Sequence, residues 1–456
     1  MAYTHTTWSQ LRTALLQRLR DTSAVFWLNA SATDEVSLYL GEALRSFGVL
    51  SGFWRERSTV SLTPGTFIYA LESQTAGSPT LASLIAPTIT DRDIIQQIQY
   101  ALLEAASTQA SWPGTSMFTY NDITGAVQNR RNQFLADTGV MLTHSMQVAA
   151  SPPIGRQALD QGIIDVRRVA WVGASPYAYY STMWASDERT LTAYGRSWNT
   201  DSGTPEEWLV LASPPITLQL APPPISTGTL DMLTVNSLAL DPATSATVLN
   251  VPDNLAAAVK WGALSDLLSI DGPARDLPRA VFCQQRYEQY VAMGRYLPMV
   301  VNAEVNGVST IPVSLQELDA SEPNWMNSSS APADVALAGW NMMAVNPVPD
   351  ANGPYSVTLD VVRNAPVPSA DATQVQLGRE QLDMILDYAE HVALFKVGGA
   401  EWHATELQAQ NFMKQAMAYN KRLSATAHAA LAAAFSSAKE QADRPFMVEA
   451  SGVGTV

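Results

Sequence analysis

Ile216-Thr217-Leu218-Gln219-Leu220-Ala221-Pro222-Pro223-Pro224 and, further along, Asn341-Met342-Met343-Ala344-Val345-Asn346-Pro347-Val348-Pro349-Asp350 are two short apolar runs, each ending in a proline-rich turn. What surrounds them repeats as well. A tryptophan precedes each run (Trp198, Trp325), and a proline follows that tryptophan (Pro205, Pro332). A strand-like stretch comes next in both, Thr229 to Val235 and Tyr355 to Val362. Each then closes on two helical stretches separated by a glycine break, at Gly272 and at Gly398-Gly399. Residues 198–294 and 325–418 therefore read as two copies of a strand-then-helix unit, the mark of a scaffold made by copying a fold. The expected class is α+β: a helical-bundle core with β-rich insertions and an internally duplicated strand-then-helix unit.

The rest of the chain fits around that unit. Trp8, Leu11, Leu15, Leu16 and Leu19 fall at helical spacing. Thr33-Asp34-Glu35 predicts a helix start with acids in its first turn, carrying Val36, Leu40, Ala43, Leu44 and Phe47 on one side. Arg55 to Leu71 alternates about Thr63-Pro64-Gly65 and predicts a hairpin. Thr90-Asp91 and Asn121-Asp122 start two further helices, the second ending at Gly139. Met146 to Val148 and Ile163 to Trp171 read as strands with Pro152-Pro153 between them, and 172–207 as a long aperiodic excursion. Pro252-Asp253 predicts the first helical turn of a core helix with Ala257, Trp261, Leu264, Leu267 and Leu268 on its apolar face. Residues 277–293 give its partner helix. The second copy matches, with one stripe at Leu382, Ile385, Leu386, Ala389 and Ala393, and another at Phe412, Ala416, Tyr419 and Leu423. Asn306-Gly307 is a strong turn signal within Met299 to Val313. The expected division is 1–150, an N-terminal helix and hairpin module; 151–296, a strand-rich excursion plus the first helix pair; 297–443, the second copy; and 444–456, an extended tail.

Composition narrows the functions. Acids outnumber bases 42 to 27, a formal net charge of −15, which disfavours direct nucleic-acid binding because phosphate contacts need Lys and Arg. One cysteine, Cys283, excludes a disulfide framework within a subunit and reads as a small buried hydrophobe. No stretch is apolar for the length a membrane span needs, and no secretory signal is read near Arg12, Arg18 and Arg20, so the expected product is soluble and made in the cytoplasm. Charged residues are few and aromatics many, which favours a surface covered by other subunits over a large self-contained core.

No motif asks for catalysis. The five histidines (His5, His144, His391, His403, His428) lack tight ligand spacing and read as solvated helix residues. Gly173-Ala174-Ser175-Pro176 is no nucleophile elbow, since the second glycine is missing. Asp231, Asp241 and Asp253 stand too far apart to imply a carboxylate pair. No glycine-rich loop leads into Lys-Ser or Lys-Thr. The cluster Trp171, Tyr177, Tyr179, Tyr180 and Trp184 suits either sugar stacking or interface packing. Arg130-Arg131 reads as a solvated helix face or a salt bridge to a neighbour. No catalytic, cofactor or metal residues are expected.

Ala43-Leu44-Arg45, Ser61-Leu62-Thr63-Pro64-Gly65-Thr66-Phe67, Val166-Arg167-Arg168-Val169, Trp198, the run from Pro215 to Pro224, Val251-Pro252-Asp253 and the helix pair with Asp276, Ala280 and Tyr287 follow one another in an order that resembles the head-to-tail adaptor, neck or connector proteins of tailed bacteriophages. The resemblance covers most of 8–294, and the second copy extends it to about 435. It rests on Trp, Pro and hydrophobic spacing, and this chain departs from the pattern by its length and second unit. It implies a structural virion protein in the neck or tail region, packed as a homo-oligomeric ring of about twelve copies around the DNA channel. Its partners would be the portal protein and tail or neck proteins. An acidic lining would let DNA pass without specific binding. The interface candidates are Trp198, Trp208, Trp325, Trp340, Pro222, Pro223, Pro224 and Arg444, the tryptophans and prolines being equally open to a core role. A tail or baseplate component and a carbohydrate-binding module are the alternatives.

Overall fold

Polar side chains cap most of the helix starts, and a left-handed glycine ends two of the helices. The computed structural model describes residues 6–29, 34–104, 112, 116–148, 155–173, 179–195, 197–211, 216–240, 246–420 and 423–435. Helix α1 (Trp8–Arg18) starts at Thr7, whose hydroxyl accepts from Gln10 N while Gln10 caps Thr7 in return. Helix α2 (Glu35–Ser51) follows Asp34 and stops at Gly52 in the left-handed region. Strands β1 (Arg55–Leu62) and β2 (Ile68–Ala70) and helix α3 (Leu81–Ile85) come next. Thr90 with Asp93, and Thr119 with Asp122, form capping boxes for α4 (Asp91–Ala101) and α5 (Tyr120–Thr138). The middle of the chain gives β3 (Thr143–Val148), β4 (Arg156–Ala158), β5 (Ile163–Gly173), β6 (Tyr180–Ala185), α6 (Glu188–Tyr194), β7 (Glu207–Leu211), β8 (Thr217–Ala221), β9 (Gly228–Asn236), α7 (Ala257–Ser269) and α8 (Leu277–Tyr296). The last third gives β10 (Val300–Val305), β11 (Val308–Thr310), β12 (Val313–Ser314), α9 (Leu315–Ser321), β13 (Ser329–Ser330), β14 (Asp334–Ala338), β15 (Met342–Asn346), β16 (Val348–Pro349), β17 (Tyr355–Val362), α10 (Arg379–Leu394), α11 (Gly399–Ala404), α12 (Glu406–Tyr419) and α13 (Ala425–Ala434). The fold is α+β.

The repeat is visible in the topology and reaches further back than the runs that first suggest it. In one unit α5 leads into β3, which pairs antiparallel with β9; β9 pairs in turn with β5 and runs on to α7 and α8. In the other, α2 leads into β1, which pairs antiparallel with β17; β17 pairs with β10 and runs on to α10 and α12. In both, the strand that comes last in sequence lies between the other two. An antiparallel hairpin precedes each of these central strands, β7–β8 before β9 and β14–β15 before β17. The first helix of each unit packs on the helix after the central strand, α5 on α7 and α2 on α10. The bounds 198–294 and 325–418 thus miss each unit's leading helix and edge strand. The units are also nested: α5 through α8 lies in sequence between the first and last parts of the other unit.

The β-rich parts are a sheet ordered β3-β9-β5-β6-β7-β8-β4, a four-stranded sheet β1-β17-β10-β11, and a four-stranded sheet β12-β14-β15-β2. The main apolar core runs from Trp8 to Phe435 and joins both units. A smaller one, including Val169, Trp171, Leu218 and Met232, fills the seven-stranded sheet.

Several local expectations change. β1 and β2 flank the Thr63-Pro64-Gly65 turn but join different sheets, so no hairpin forms there. The excursion 172–207 contains β6 and α6. Asp253 does not start α7, which begins at Ala257. Its carboxylate instead accepts from Thr88 N at 2.7 Å and Ile89 N at 3.0 Å, tying the approach to α4. Arg131 is buried rather than solvated and donates to Leu249 O at 3.0 Å and Asn236 O at 2.7 Å. Its neighbour Arg130 pairs with Asp266 of the same chain. Pro152-Pro153 and the tail from Arg444 lie outside the described residues.

Candidate assembly surfaces

The tryptophans expected at an interface hold the chain's own core. Trp325 is 2% exposed, with Nε1 donating to Asp319 Oδ1 at 2.9 Å and its ring edge-on to Phe67. Trp208 is buried and donates from Nε1 to Met183 O. Trp340 is buried too, its backbone N donating to Val140 O at 2.8 Å. Trp198 is half-buried against a small apolar group near Leu209. Pro223 and Pro224 are buried and Pro222 half-buried. Side chains already enclosed by their own chain cannot anchor a second one, which corrects the expectation for Trp208, Trp325, Trp340, Pro223 and Pro224. Arg444 lies outside the described residues.

Exposed large apolar side chains are spread over the surface, Phe53, Leu103, Tyr194 and Ile225 among them, and two groups of them lie near the two ends of α8. At its start Leu277 and Val281 are exposed, and Arg279 Nη2 donates to Phe395 O and Lys396 O. Lys396 Nζ donates to Phe26 O at 3.1 Å and lies 4.5 Å from the Phe26 ring. Exposed Val397, Val25, Phe26 and Leu28 therefore neighbour the start of α8. At its end lies exposed Tyr296, close to where β11 leaves Val308 (70% exposed) and Ile311 (84% exposed) in solvent. Twenty helical residues separate the two patches by about 30 Å. β11 is the outer strand of its sheet, and Val308-Ser309-Thr310-Ile311 carries no charge, so its outer backbone groups stand open to another strand.

A cleft of about 860 Å³ opens beside Tyr296. Its walls include Trp184, Trp208, Leu315, Ala338 and Trp340, with Pro312 and Val313 joining it to the end of β11. Three arginines line it (Arg167, Arg168, Arg295) against one acid, Asp319. Arg168 and Asp319 form a bidentate pair, Nε to Oδ2 at 2.7 Å and Nη2 to Oδ1 at 3.1 Å, with both side chains at most 7% exposed. Thr182 and Trp325 also donate to Asp319 Oδ1. Arg168 Nη1 has no partner. The alternation around Val166-Arg167-Arg168-Val169 marks one arginine as inward-facing, but nothing in the local sequence points to Asp319, 151 residues away.

The aromatic cluster near Tyr180 is split by the fold. Trp171 is in the sheet core, Tyr180 is half-buried against Phe67, and Tyr179 and Trp184 are exposed. Tyr177 lies outside the described residues. The histidines are scattered. His391 is buried rather than solvated: its Nδ1 sits 2.9 Å from Thr405 Oγ1, and burial together with Arg286 brings its pKa down to about 3. His144 Nε2 lies 2.8 Å from buried Asp231. His403 and His428 are exposed, and His5 and Asp241 lie outside the described residues. Cys283 is buried, and desolvation pushes its thiol pKa up. Among the described residues no group of three or more His, Cys, Asp or Glu is placed to hold a metal ion, and no helix is long and apolar enough to cross a membrane. No protein family and no curated protein matches the chain.

Proposed function

We propose that this chain is a structural virion protein of a tailed phage, a head-to-tail adaptor or neck component that forms a homo-oligomeric ring between portal and tail. The observation that carries the reading is the pair of unlike apolar patches at opposite ends of α8. A ring built by rotation repeats one heterologous contact, so each subunit needs two different faces that fit one another. Exposed apolar patches of this kind mark contact surfaces. The order of Trp, Pro and helical signals that resembles neck proteins supports the same reading. The net charge of −15 suits a channel through which DNA slides without specific capture.

Native mass spectrometry and sedimentation test this directly. The purified chain, alone or with portal rings, is expected to form closed oligomers. Val281→Glu and Ile311→Glu, one at each end of α8, should each stop ring closure while leaving the circular dichroism unchanged. Mixing the two variants should give dimers, because one intact contact remains between unlike mutants. A compact monomer at every concentration tested, with or without portal, would overturn the proposal. Cryo-microscopy of labelled particles separates a neck position from a tail or baseplate one. Exposed Trp184 at the cleft favours glycan stacking as a second reading; glycan-array binding lost in Trp184→Ala would support that instead.

A further inference from the structure

We infer that a buried water molecule joins the two units, held between Arg286 Nε of α8 and His391 Nε2 of α10 in a small cavity beside Phe435. The site lies on the seam inside one chain and is independent of the ring reading. α8 belongs to the enclosed unit and α10 to the enclosing one. The Arg286 guanidinium lies 5.2 Å from the centre of the Tyr388 ring of α10, and the Phe282 ring of α8 lies 5.5 Å from the His391 ring, so the two helices meet here. The cavity measures about 30 Å³, with Ala409 and Met413 of α12 closing one side. A water needs about 10–15 Å³ of such space, so one or two fit and an organic ligand does not.

The chemistry of the walls selects the occupant. Arg286 is 5% exposed and His391 1%. Arg286 Nη1 donates to Gln289 Oε1 at 2.8 Å, but its Nε–H has no acceptor among the described residues. On His391 the proton can be placed. Thr405 Oγ1 gives its single hydrogen to Trp402 O at 2.8 Å, so towards His391 Nδ1, 2.9 Å away, it can only accept. The ring is neutral, because burial and then the Arg286 charge bring its pKa down to about 3. Nε2 is therefore a bare lone pair, buried and without a donor among the described residues. One cavity thus holds an orphan donor and an orphan acceptor, and buried polar atoms of both kinds need partners. A halide would accept from Arg286 but has nothing to donate to Nε2, and Glu406 on the wall repels it. A cation would sit against the guanidinium. Water accepts from the one and donates to the other, satisfying both with a single molecule.

A high-resolution crystal structure of the full chain tests the site. It is expected to show a solvent peak at hydrogen-bonding distance, about 2.7–3.2 Å, from both Arg286 Nε and His391 Nε2. Crystals soaked in bromide should give no anomalous signal at that point. Nitrogen-15 spectra of the unmodified protein near neutral pH should show His391 protonated at Nδ1, with Nε2 shifted upfield from a free pyridine-type nitrogen because it accepts a hydrogen bond. Ala409→Leu, which fills the cavity from α12, should lose both the peak and that upfield shift. An empty cavity, or a peak touching only one of the two atoms, would overturn the inference. A bromide signal would replace the water with an anion, and a proton on Nε2 would remove the acceptor on which the bridge depends. The crystal and the spectra use the wild-type chain, so the inference stands or falls even if the variant does not fold.

Discussion

Lys260 of α7 sets its ammonium against the Glu42 carboxylate of α2, with neither side chain more than 4% exposed. The same carboxylate accepts from Trp261 Nε1 at 2.8 Å. α7 belongs to one unit and α2 to the other, so this ion pair joins the two at their helical faces. Burial lowers the Lys260 pKa, and Glu42 opposes that shift. Removing one partner strands the other without water. Glu42→Gln is expected to cost about 3–5 kcal/mol, whereas the paired change Glu42→Leu with Lys260→Met should recover most of it. Urea midpoints of the three proteins check this; equal losses in single and double variants would contradict it.

His391 predicts a pH dependence. Its folded pKa of about 3 lies below the ordinary 6.5, so between those values the unfolded chain binds a proton that the folded one refuses. Stability from this group is complete above about 6.5 and declines as pH falls through the window, by up to about 1.4 kcal/mol per pH unit. Buried carboxyls such as Glu72 and Asp91, whose pKa values are raised by desolvation, act in the opposite sense. The difference between wild type and His391→Phe isolates the histidine. Urea unfolding at pH 7 and pH 5 should show the variant losing less on acidification.

Arg130 and Arg131 are adjacent, yet their substitutions should differ widely. Arg131 is 1% exposed, and burial draws its pKa to about 10. Arg131→Lys cannot reach both Leu249 O and Asn236 O and should cost about 2–4 kcal/mol. Arg130→Lys changes a pair whose acid, Asp266, is 40% exposed, and should cost less than about 1 kcal/mol. Thermal melts of the two variants decide the matter.

Gly339 and Gly65 form a matching contrast in backbone. Both have positive φ, +61° and +76°. A Cβ on Gly339 would lie 2.5 Å from Gly139 O, whereas one on Gly65 meets nothing within 4 Å. Gly65→Ala should cost about 1–2 kcal/mol from the left-handed backbone alone. Gly339→Ala must also push the β14–β15 turn off the end of α5 and should cost clearly more, read as the difference in denaturation midpoint.

What the sequence made legible was local. The capping residues Asp34 and Thr90 stand where expected, and Asn306-Gly307 turns β10 into β11 with φ of 51° and 82°. Leu382, Ile385, Leu386, Ala389 and Ala393 are all buried along α10. The failures share one cause: the deciding partner is far away in the chain. Alternation before and after Thr63-Pro64-Gly65 looks the same whether the strands pair with each other or, as here, with β17 and β15. A tryptophan such as Trp325 has the same sequence signature in a core as at an interface; only Asp319 and Phe67 around it settle which. The exposed ends of α8 were equally hidden, because Val281 and Ile311 are conspicuous only once their neighbours are known.

The nesting of one unit inside the other has a consequence for synthesis. Leu62 pairs with Tyr355, so β1 leaves the ribosome long before its partner strand exists. At ordinary elongation rates of about 5–20 residues per second, that wait is roughly 15 to 60 seconds. The enclosed unit can close meanwhile, while β1 remains an open template for unwanted strands. Lengthening that wait is therefore expected to send more newborn chain into aggregate, read as the insoluble fraction when translation is slowed.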